Sequence, residues 1–402
     1  MTVVEAGGIT TPKGFFAAGI HCGIKKVKKD LALIYSDEPA RAAGIFTTNK
    51  VPAAPVTVDK HQLERSSTFR AILVNSGNAN ACTGERGFND AWSMVQETAG
   101  ALGIGEREVL ISSTGVIGQY LPMEKIATGV REAQVMLDAD GRTAAAEAIM
   151  TTDKFSKEVA VAVSINGTEI RIGGMAKGSG MIAPNMATML AFITTDANIS
   201  GELLQSTLKL AADRSFNRIS VDGDTSTNDM VLVLANGKAG NPKLTDQNEE
   251  QYQQFYQAFE FVLSKLSKMI VMDGEGATKF IEICVTDANT EEDAVCAAKA
   301  IANSNLVKTA LNGEDANWGR ILAAVGYSGI NFNPDVVEIF FDDVPILKQA
   351  YNIDFSEGDA KRVLRQKEIK ITVNLNQGAA RASFWTCDLS KDYVAINANY
   401  RT

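Results

Sequence analysis

Short apolar segments alternate with longer helix-like segments along this 402-residue chain. Each apolar segment leads into a polar, glycine-bearing turn, as buried strands do. The predicted strands cover residues 71–74, 109–111, 190–193, 230–234 and 280–285. The predicted helices cover residues 123–136, 201–215, 249–271, 291–304 and 358–366. This alternation predicts an α/β protein and leaves the order of the strands open.

The length of the chain predicts two compact parts, because 402 residues are many for a single core. An apolar strand changes near residues 286–291 into the acidic start of a helix. We therefore expect a larger part over residues 1–285 and a smaller α/β lobe over residues 286–402.

Charge and cysteine usage exclude several classes of protein. Lys and Arg total 39 against 48 for Asp and Glu, and a net charge of -9 argues against broad binding to nucleic acid or to anionic membranes. The five cysteines have no short paired spacing and there are two histidines, so we expect no metal site. The N-terminus resembles neither a secretory signal nor a transit peptide, and no apolar run approaches the roughly 20 residues of a membrane span. The cytoplasm is the expected compartment.

Residues 177–190 form a glycine-punctuated approach to an apolar run, with Thr188 near its end. Gly178 and Gly180 permit backbone angles that a strained peptide bond requires. A break between Ala187 and Thr188 would give Thr188 an α-amino group with a pKa of about 7.7 to 8.0. That amine could act as the base that a threonine hydroxyl needs as a nucleophile. The other interpretation, a β-branched residue at the mouth of a buried strand, stays open at this point.

Ser113 to Val116 follow a predicted strand at a turn that could direct a backbone N–H and a hydroxyl at an oxyanion. An ordinary Ser/Thr turn is the alternative. Residues 274–279 lack the spacing of a phosphate-binding P-loop, and residues 222–233 lack the glycine and glutamate of a calcium loop. Neither a nucleotide site nor a calcium site is predicted.

Segments spread over the whole chain closely resemble the ornithine acetyltransferase (glutamate N-acetyltransferase) family of arginine biosynthesis. The matching segments are residues 11–15, 75–81, 113–118, 177–190, 220–229, 273–279, 313–320 and 396–398. The resemblance implies a four-layer αββα sandwich, similar to the N-terminal nucleophile hydrolases, with a smaller C-terminal α/β lobe. It also implies self-cleavage at Ala187-Thr188 into an α chain (1–187) and a β chain (188–402) that stay joined by sheet pairing.

The resemblance implies a role for each site residue. Thr188 would be the nucleophile, and Thr114 with Gly115 would form the oxyanion hole. Lys177 is suited to a substrate carboxylate, and Glu275 supplies the opposite charge for an amino group. The complete substrate-binding set would be Thr151, Lys177, Thr188, Glu275, Asn397 and Thr402.

The implied reaction is a ping-pong transfer of acetyl from N-acetylornithine to L-glutamate through acetyl-Thr188. No cofactor is expected, and the resemblance leaves open whether acetyl-CoA is a second acetyl donor. It suggests an (αβ)2 heterotetramer. Two alternatives are an aminopeptidase or amidase of the same superfold, which would pass the acyl group to water, and a noncatalytic amino-acid-binding regulator with an uncut chain.

Overall fold

The computed structural model describes residues 1–183, 189–353 and 355–399. All five predicted strands lie within observed strands. The strands are β1 (Thr2–Val3), β2 (Phe15–Ile20), β3 (Leu31–Phe46), β4 (Phe69–Asn78), β5 (Val109–Val116), β6 (Lys157–Ile165), β7 (Thr168–Lys177), β8 (Leu190–Thr195), β9 (Ile219–Ser220), β10 (Met230–Ala235), β11 (Phe280–Ala288), β12 (Glu338–Phe341), β13 (Val344–Leu347), β14 (Glu368–Asn374) and β15 (Ala380–Cys387).

All five predicted helices are confirmed, with ends that differ by one or two residues. The helices are α1 (Ala54–Arg65), α2 (Gly84–Leu102), α3 (Met123–Val135), α4 (Arg142–Ile149), α5 (Gly201–Asp213), α6 (Glu250–Met272), α7 (Glu291–Ala302), α8 (Asn305–Asn312), α9 (Trp318–Gly326), α10 (Glu357–Leu364) and α11 (Lys391–Asn399). Hydroxyl side chains cap the first turns of α5 and α7, where Ser200 and Thr290 accept hydrogen bonds from backbone N–H groups. In the described part of the chain, no helix is both long enough and apolar enough to span a membrane.

The chain folds into two compact units. The first contains Met1–Asn217 and Asp224–Ile270, and the second contains Arg218–Gly223 and the described chain from Val271 onward. The boundary expected after residue 285 falls inside β11, which pairs with β14 and β15 of the second unit. The division therefore lies after Ile270, because a strand cannot be separated from the sheet that completes its backbone hydrogen bonds.

The long strand β3 joins the two faces of the first unit. Its residues 31–36 pair with β2 and β4, and its residues 41–46 pair with β10. The order of strands in the described part is β1-β6-β7-β8-β10-β3-β4-β5, with β2 beside β3. The same strand therefore supplies both sheets of a sandwich.

Apolar side chains on the two faces meet in one core and are covered by helices outside. Ile34 and Ile72 of one face share a buried cluster with Phe192 and Leu232 of the other. A second cluster packs α2 and α3 against the strands β2 to β5. On the opposite side, α6 packs closely on β7, since a Cβ built on Gly174 of β7 would lie 2.9 Å from Leu266 of α6. These layers confirm the expected αββα sandwich.

Strand pairing holds the chain together across the expected cleavage site. β7 ends at Lys177 and β8 begins at Leu190, and these two residues are paired in an antiparallel ladder that extends to Ile172 and Thr195. β8 is paired on its other side with β10. A cut between Ala187 and Thr188 would therefore leave both products in one sheet.

The second unit has a six-stranded sheet in the described residues, in the order β13-β12-β14-β11-β15-β9. α7, α9 and α10 contribute residues such as Ala298, Ile321 and Val363 to the buried cluster beside this sheet. The smaller α/β lobe is thus confirmed.

Candidate active site

The predicted site residues divide between the two units. Ala187, Thr188 and Thr402 lie outside the described residues. The first unit holds Thr114, Gly115, Thr151 and Lys177, and the second holds Glu275 and Asn397. Each group is described within its own unit.

Thr114 and Gly115 lie at the end of β5, where only glycine fits after the threonine. Gly115 has a φ of +133°, and a Cβ there would lie 2.3 Å from the carbonyl carbon of Gly77 on β4. Thr114 is 9% exposed. Within the described residues its hydroxyl has no hydrogen-bond partner, so it is available to a ligand. This geometry suits an oxyanion donor.

Buried asparagines hold this turn in place. The Ser113 hydroxyl donates to Asn75 Oδ1 at 2.6 Å, and Asn228 Nδ2 donates to the carbonyl oxygens of Ser113 (2.8 Å) and Ala79 (2.6 Å). Sequence reasoning assigned these asparagines no role, although both lie in segments matched to the family. These asparagines fix the geometry of the turn, because buried amides that are fully hydrogen-bonded restrict the backbone around them.

Asp153 is a buried hub between two predicted substrate residues, and sequence reasoning missed it. Its Oδ2 accepts from the backbone N–H of Thr151 at 2.9 Å. Its Oδ1 accepts from the Gly178 N–H at 2.7 Å and from Lys157 Nζ at 2.8 Å. One carboxylate thus fixes Thr151 and the residue after Lys177, which are distant in the sequence.

The charge of Asp153 is maintained by its neighbours. Burial alone would raise the pKa of this carboxyl, but Lys177, Lys157 and the Gly178 N–H outweigh that effect and hold its pKa well below the usual range. The Lys157 side chain is fully buried. Such a pair depends on both partners, since either charge alone would be costly in this interior.

Lys177 itself is a buried cation available to a ligand. It ends β7 and is 8% exposed. Among the described residues, no group accepts a hydrogen bond from its ammonium. A buried ammonium requires an anionic or carbonyl partner, and a substrate carboxylate would supply one.

The backbone that leads to the expected cleavage site is anchored by hydrogen bonds between Gly178 and Ala183. Gly178 has a φ of +155°, and Met181 also has a positive φ of 57°. Ala183 is buried, and its carbonyl accepts from the Thr225 hydroxyl at 3.1 Å. Gly178 therefore adopts a backbone angle that favours glycine at the start of this segment.

In the second unit, Asn397 and Glu275 are in direct contact. Asn397 Nδ2 donates to Glu275 Oε2 at 2.8 Å, which brings α11 onto the loop after α6. Gly276 makes this approach possible, because a Cβ there would lie 2.4 Å from the backbone nitrogen of Tyr393. The Ser390 hydroxyl also donates to the Gly276 carbonyl at 2.6 Å. α11 thus packs on the loop that carries Glu275.

Asp388 holds the far side of the same loop. Its Oδ1 accepts from the backbone N–H groups of Thr278 and Lys279, each at 2.8 Å. Its Oδ2 accepts from Asn312 Nδ2 at 2.6 Å. The Glu275 loop is therefore fixed from both sides within its unit.

The described residues offer oxyanion donors and a cation in one unit and a held carboxylate in the other. Within the first unit, the turn at Thr114 and Gly115 can stabilise charge on a carbonyl oxygen, and Lys177 can bind a carboxylate. Within the second unit, Glu275 can bind an ammonium group. In the described part of the chain, no cluster of three or more His, Cys, Asp or Glu residues could hold a metal ion.

Comparisons with known proteins match nearly the whole chain. The ArgJ family model matches residues 16–402. The arginine biosynthesis bifunctional protein ArgJ of Caldanaerobacter subterraneus subsp. tengcongensis is 52% identical over 400 residues, which cover 98% of this chain and 99% of that protein. The ArgJ protein of Oceanobacillus iheyensis is 48% identical over 403 residues, covering 100% and 98%. A crystal structure of ArgJ from Bacillus halodurans is similar with a TM-score of 0.52 and 48% identity, and the match covers 53% of this chain and 100% of that one.

Proposed function

The chain belongs to the ArgJ family, and on that premise we propose that it transfers the acetyl group of N-acetylornithine to L-glutamate. The observation that carries the proposal is the buried Lys177 ammonium, which has no acceptor among the described residues and is held beside Thr151 through Asp153. A substrate carboxylate would complete its interactions.

The first step in the proposed mechanism is self-cleavage. The Thr188 hydroxyl attacks the Ala187 carbonyl, the peptide shifts from nitrogen to oxygen, and water hydrolyses the resulting ester. The new Thr188 α-amine then serves as the base for its own hydroxyl. The length of the chain in the B. halodurans structure agrees with such a cut, because that whole chain matches 53% of this one. A piece from Thr188 to the C-terminus would be about that share of the sequence.

The acetyl group then moves in two steps. Thr188 Oγ attacks the acetyl carbonyl of N-acetylornithine, and the Thr188 amine receives the hydroxyl proton and passes it to the departing nitrogen of ornithine. The amine of glutamate next attacks acetyl-Thr188 and regenerates the hydroxyl. Thr114 and Gly115 stabilise the oxyanion of both tetrahedral intermediates.

The remaining predicted residues bind the substrates. Lys177 and Thr151 receive the α-carboxylate end. Glu275 receives the side-chain ammonium of the ornithine moiety, with Asn397 and the terminal Thr402 completing the set. We assign these roles from the family resemblance together with the contacts within each unit.

The first experiment is intact mass measurement under denaturing conditions. Wild type should give two fragments that meet between Ala187 and Thr188. Thr188→Ala should remain whole, and Thr188→Ser, which keeps a hydroxyl, should still be cut. An uncut wild type would overturn the mechanism, because Thr188 would then lack its amine.

A second experiment separates transfer from hydrolysis. Cleaved enzyme mixed with N-acetylornithine alone should release one equivalent of ornithine and gain the mass of one acetyl group on the Thr188 fragment. Sustained ornithine release should then require glutamate. Sustained release without glutamate would favour the amidase alternative.

Two further points belong to the proposal. The relatives are named bifunctional proteins, and this motivates a test of acetyl-CoA as a second acetyl donor to glutamate. An (αβ)2 assembly would have a native mass of about twice that of the precursor and can be measured by light scattering.

A further inference from the structure

The loop between β2 and β3 is built around a buried carboxylate. Asp30 accepts hydrogen bonds from the backbone N–H groups of Cys22 (2.6 Å), Gly23 (3.2 Å) and Lys25 (2.8 Å). Asp30 is fully buried. These three bonds fix the backbone from which the Lys25 side chain extends.

Lys25 contacts both parts of the candidate site in the first unit. A Cβ on Gly77 would lie 3.0 Å from Lys25 Cγ, and Gly77 is the strand partner of Gly115. Lys25 Nζ donates to the carbonyl of Lys29 at 2.9 Å and to that of Met150, the residue before Thr151. Its stem therefore lies against the oxyanion strands and its ammonium beside the substrate loop.

The ammonium of Lys25 shares its electrostatic surroundings with Lys177. Burial lowers the pKa of Lys25 to about 8, Asp30 and Asp153 oppose this effect, and Lys177 and Lys28 add to it. A lysine ammonium has three donors, and the described residues accept from two of those of Lys25. One donor remains for an anionic ligand.

The two proposed substrates differ in the charge of their side chains. N-acetylornithine carries one carboxylate and a side-chain ammonium, whereas glutamate carries two carboxylates. A carboxylate such as Glu275 suits the ammonium and repels the second carboxylate of glutamate. The acceptor therefore needs a cation besides Lys177.

We propose that Lys25 is this second cation and determines specificity for a dicarboxylic acceptor by receiving its side-chain carboxylate, while Lys177 receives the α-carboxylate. This inference rests on the proposed function, since it concerns the second half of the same reaction. The single carboxylate of N-acetylornithine is bound by Lys177, which leaves none for Lys25, so the role of Lys25 is confined to deacetylation.

The test compares glutamate with glutamine, which has the same shape without the charge. Acetyl-enzyme is prepared with N-acetylornithine, and kcat/KM for its deacetylation is measured with each acceptor. Lys25→Met should lower the preference for glutamate by about tenfold or more, as expected for the loss of one charge-assisted hydrogen bond. Lys25→Arg keeps the positive charge and should retain most of the preference for glutamate over glutamine. Lys28→Met is the matched control on the same loop, with an exposed side chain, and should retain the wild-type preference.

The outcomes distinguish the inference from the proposed function. Failure of wild type to form acetyl-enzyme overturns the proposed function. With wild type active, an unchanged preference in Lys25→Met overturns the inference, and so does an equal loss in acetylation and in deacetylation by both acceptors, which would indicate a purely structural lysine.

The pH dependence of the preference gives a second readout. Lys25 loses its charge as the pH rises through about 8, so the glutamate preference of wild type should fall across that range. The amines of glutamate and glutamine titrate differently, but this difference is the same for wild type and Lys25→Met, so the comparison of the two proteins removes it. The preference of Lys25→Met should show no such fall, and an identical fall in both proteins would overturn the inference.

Discussion

Gly77 and Gly115 face each other across β4 and β5, and a Cβ built on Gly115 would lie 2.3 Å from the carbonyl carbon of Gly77. The turn that presents Thr114 therefore exists because this position has no side chain. Two neighbouring strands approach closely at the point where the proposed oxyanion donors are needed.

Gly115→Ala should disrupt the oxyanion hole. The added methyl group meets backbone atoms that cannot move aside, so the turn must shift. Turnover should fall by about 10²- to 10³-fold, the loss typical of one oxyanion donor. The measurement is the rate of ornithine release in a single turnover.

Gly118→Ala is the control for backbone strain. Gly118 also has a positive φ, +79°, but in the described part of the chain no atom lies within 4 Å of a Cβ built there. It should lose some stability and keep its rate of acetyl transfer. A similar loss of rate in both variants would show that the close approach to Gly77 is unimportant.

Asp153→Asn should destabilise the first unit and weaken substrate binding. The change removes the negative charge that faces the buried Lys157, and breaking a buried pair costs about 3 to 5 kcal/mol. KM for N-acetylornithine should rise because Thr151 and Lys177 lose their shared anchor. Denaturant unfolding and steady-state kinetics measure the two effects.

Glu169→Gln provides the comparison for an exposed ion pair. Glu169 and its partner Arg171 are 53% and 39% exposed at their side chains. Such pairs contribute about 0 to 1 kcal/mol, so this variant should resemble wild type. Equal destabilisation by both substitutions would contradict the hub role of Asp153.

Asp59 should make stability depend on pH. Burial raises the pKa of this carboxyl, although the Ile111 N–H lowers it in part, and Asp59 Oδ2 has no hydrogen-bond partner among the described residues. The folded protein then binds a proton that the unfolded chain releases above about pH 3.9, so stability falls as the pH rises from there through the folded pKa. Asp59→Asn removes this dependence.

The measurement for Asp59 is the free energy of unfolding between about pH 4 and pH 8. The free energy of unfolding of Asp59→Asn should increase relative to that of wild type as the pH rises, because the variant has no carboxyl to ionise in the core. Asp140→Asn, at an exposed position, is the control. A constant difference between Asp59→Asn and wild type would show that Asp59 is ionised throughout.

Gly276→Ala should loosen the C-terminal helix. The new Cβ would lie 2.4 Å from the Tyr393 backbone nitrogen, which pushes α11 away from Glu275. Backbone amides of residues 391–399 should exchange hydrogen faster, and KM for N-acetylornithine should rise. Gly240 has a similar φ of +77°, and no described residue lies within 4 Å of a Cβ built there, so Gly240→Ala should change neither the exchange rate nor KM. Unchanged exchange in Gly276→Ala would contradict the packing role of this glycine.

Elements were predictable because their signals are local. The apolar run at 230–234 lies within β10, and the segment 201–215 contains α5, which begins after the cap Ser200. β9 was not predictable, since two residues form a strand there only because β15 lies beside them. The same holds for the unit boundary, which depends on the pairing of β11 with β14 and β15.

For the site, the sequence by itself determined the family and supplied the candidate residues Thr114, Thr151, Lys177 and Glu275. Only the tertiary structure decided which side chains support them. Asp153 and Lys25 look like ordinary surface charges in the sequence, yet the fold buries Asp153 against Lys157 and Gly178 and sets Lys25 against Gly77. The reason is physical: burial and electrostatic interaction depend on distance in space, and these partners are brought together only when distant strands pack.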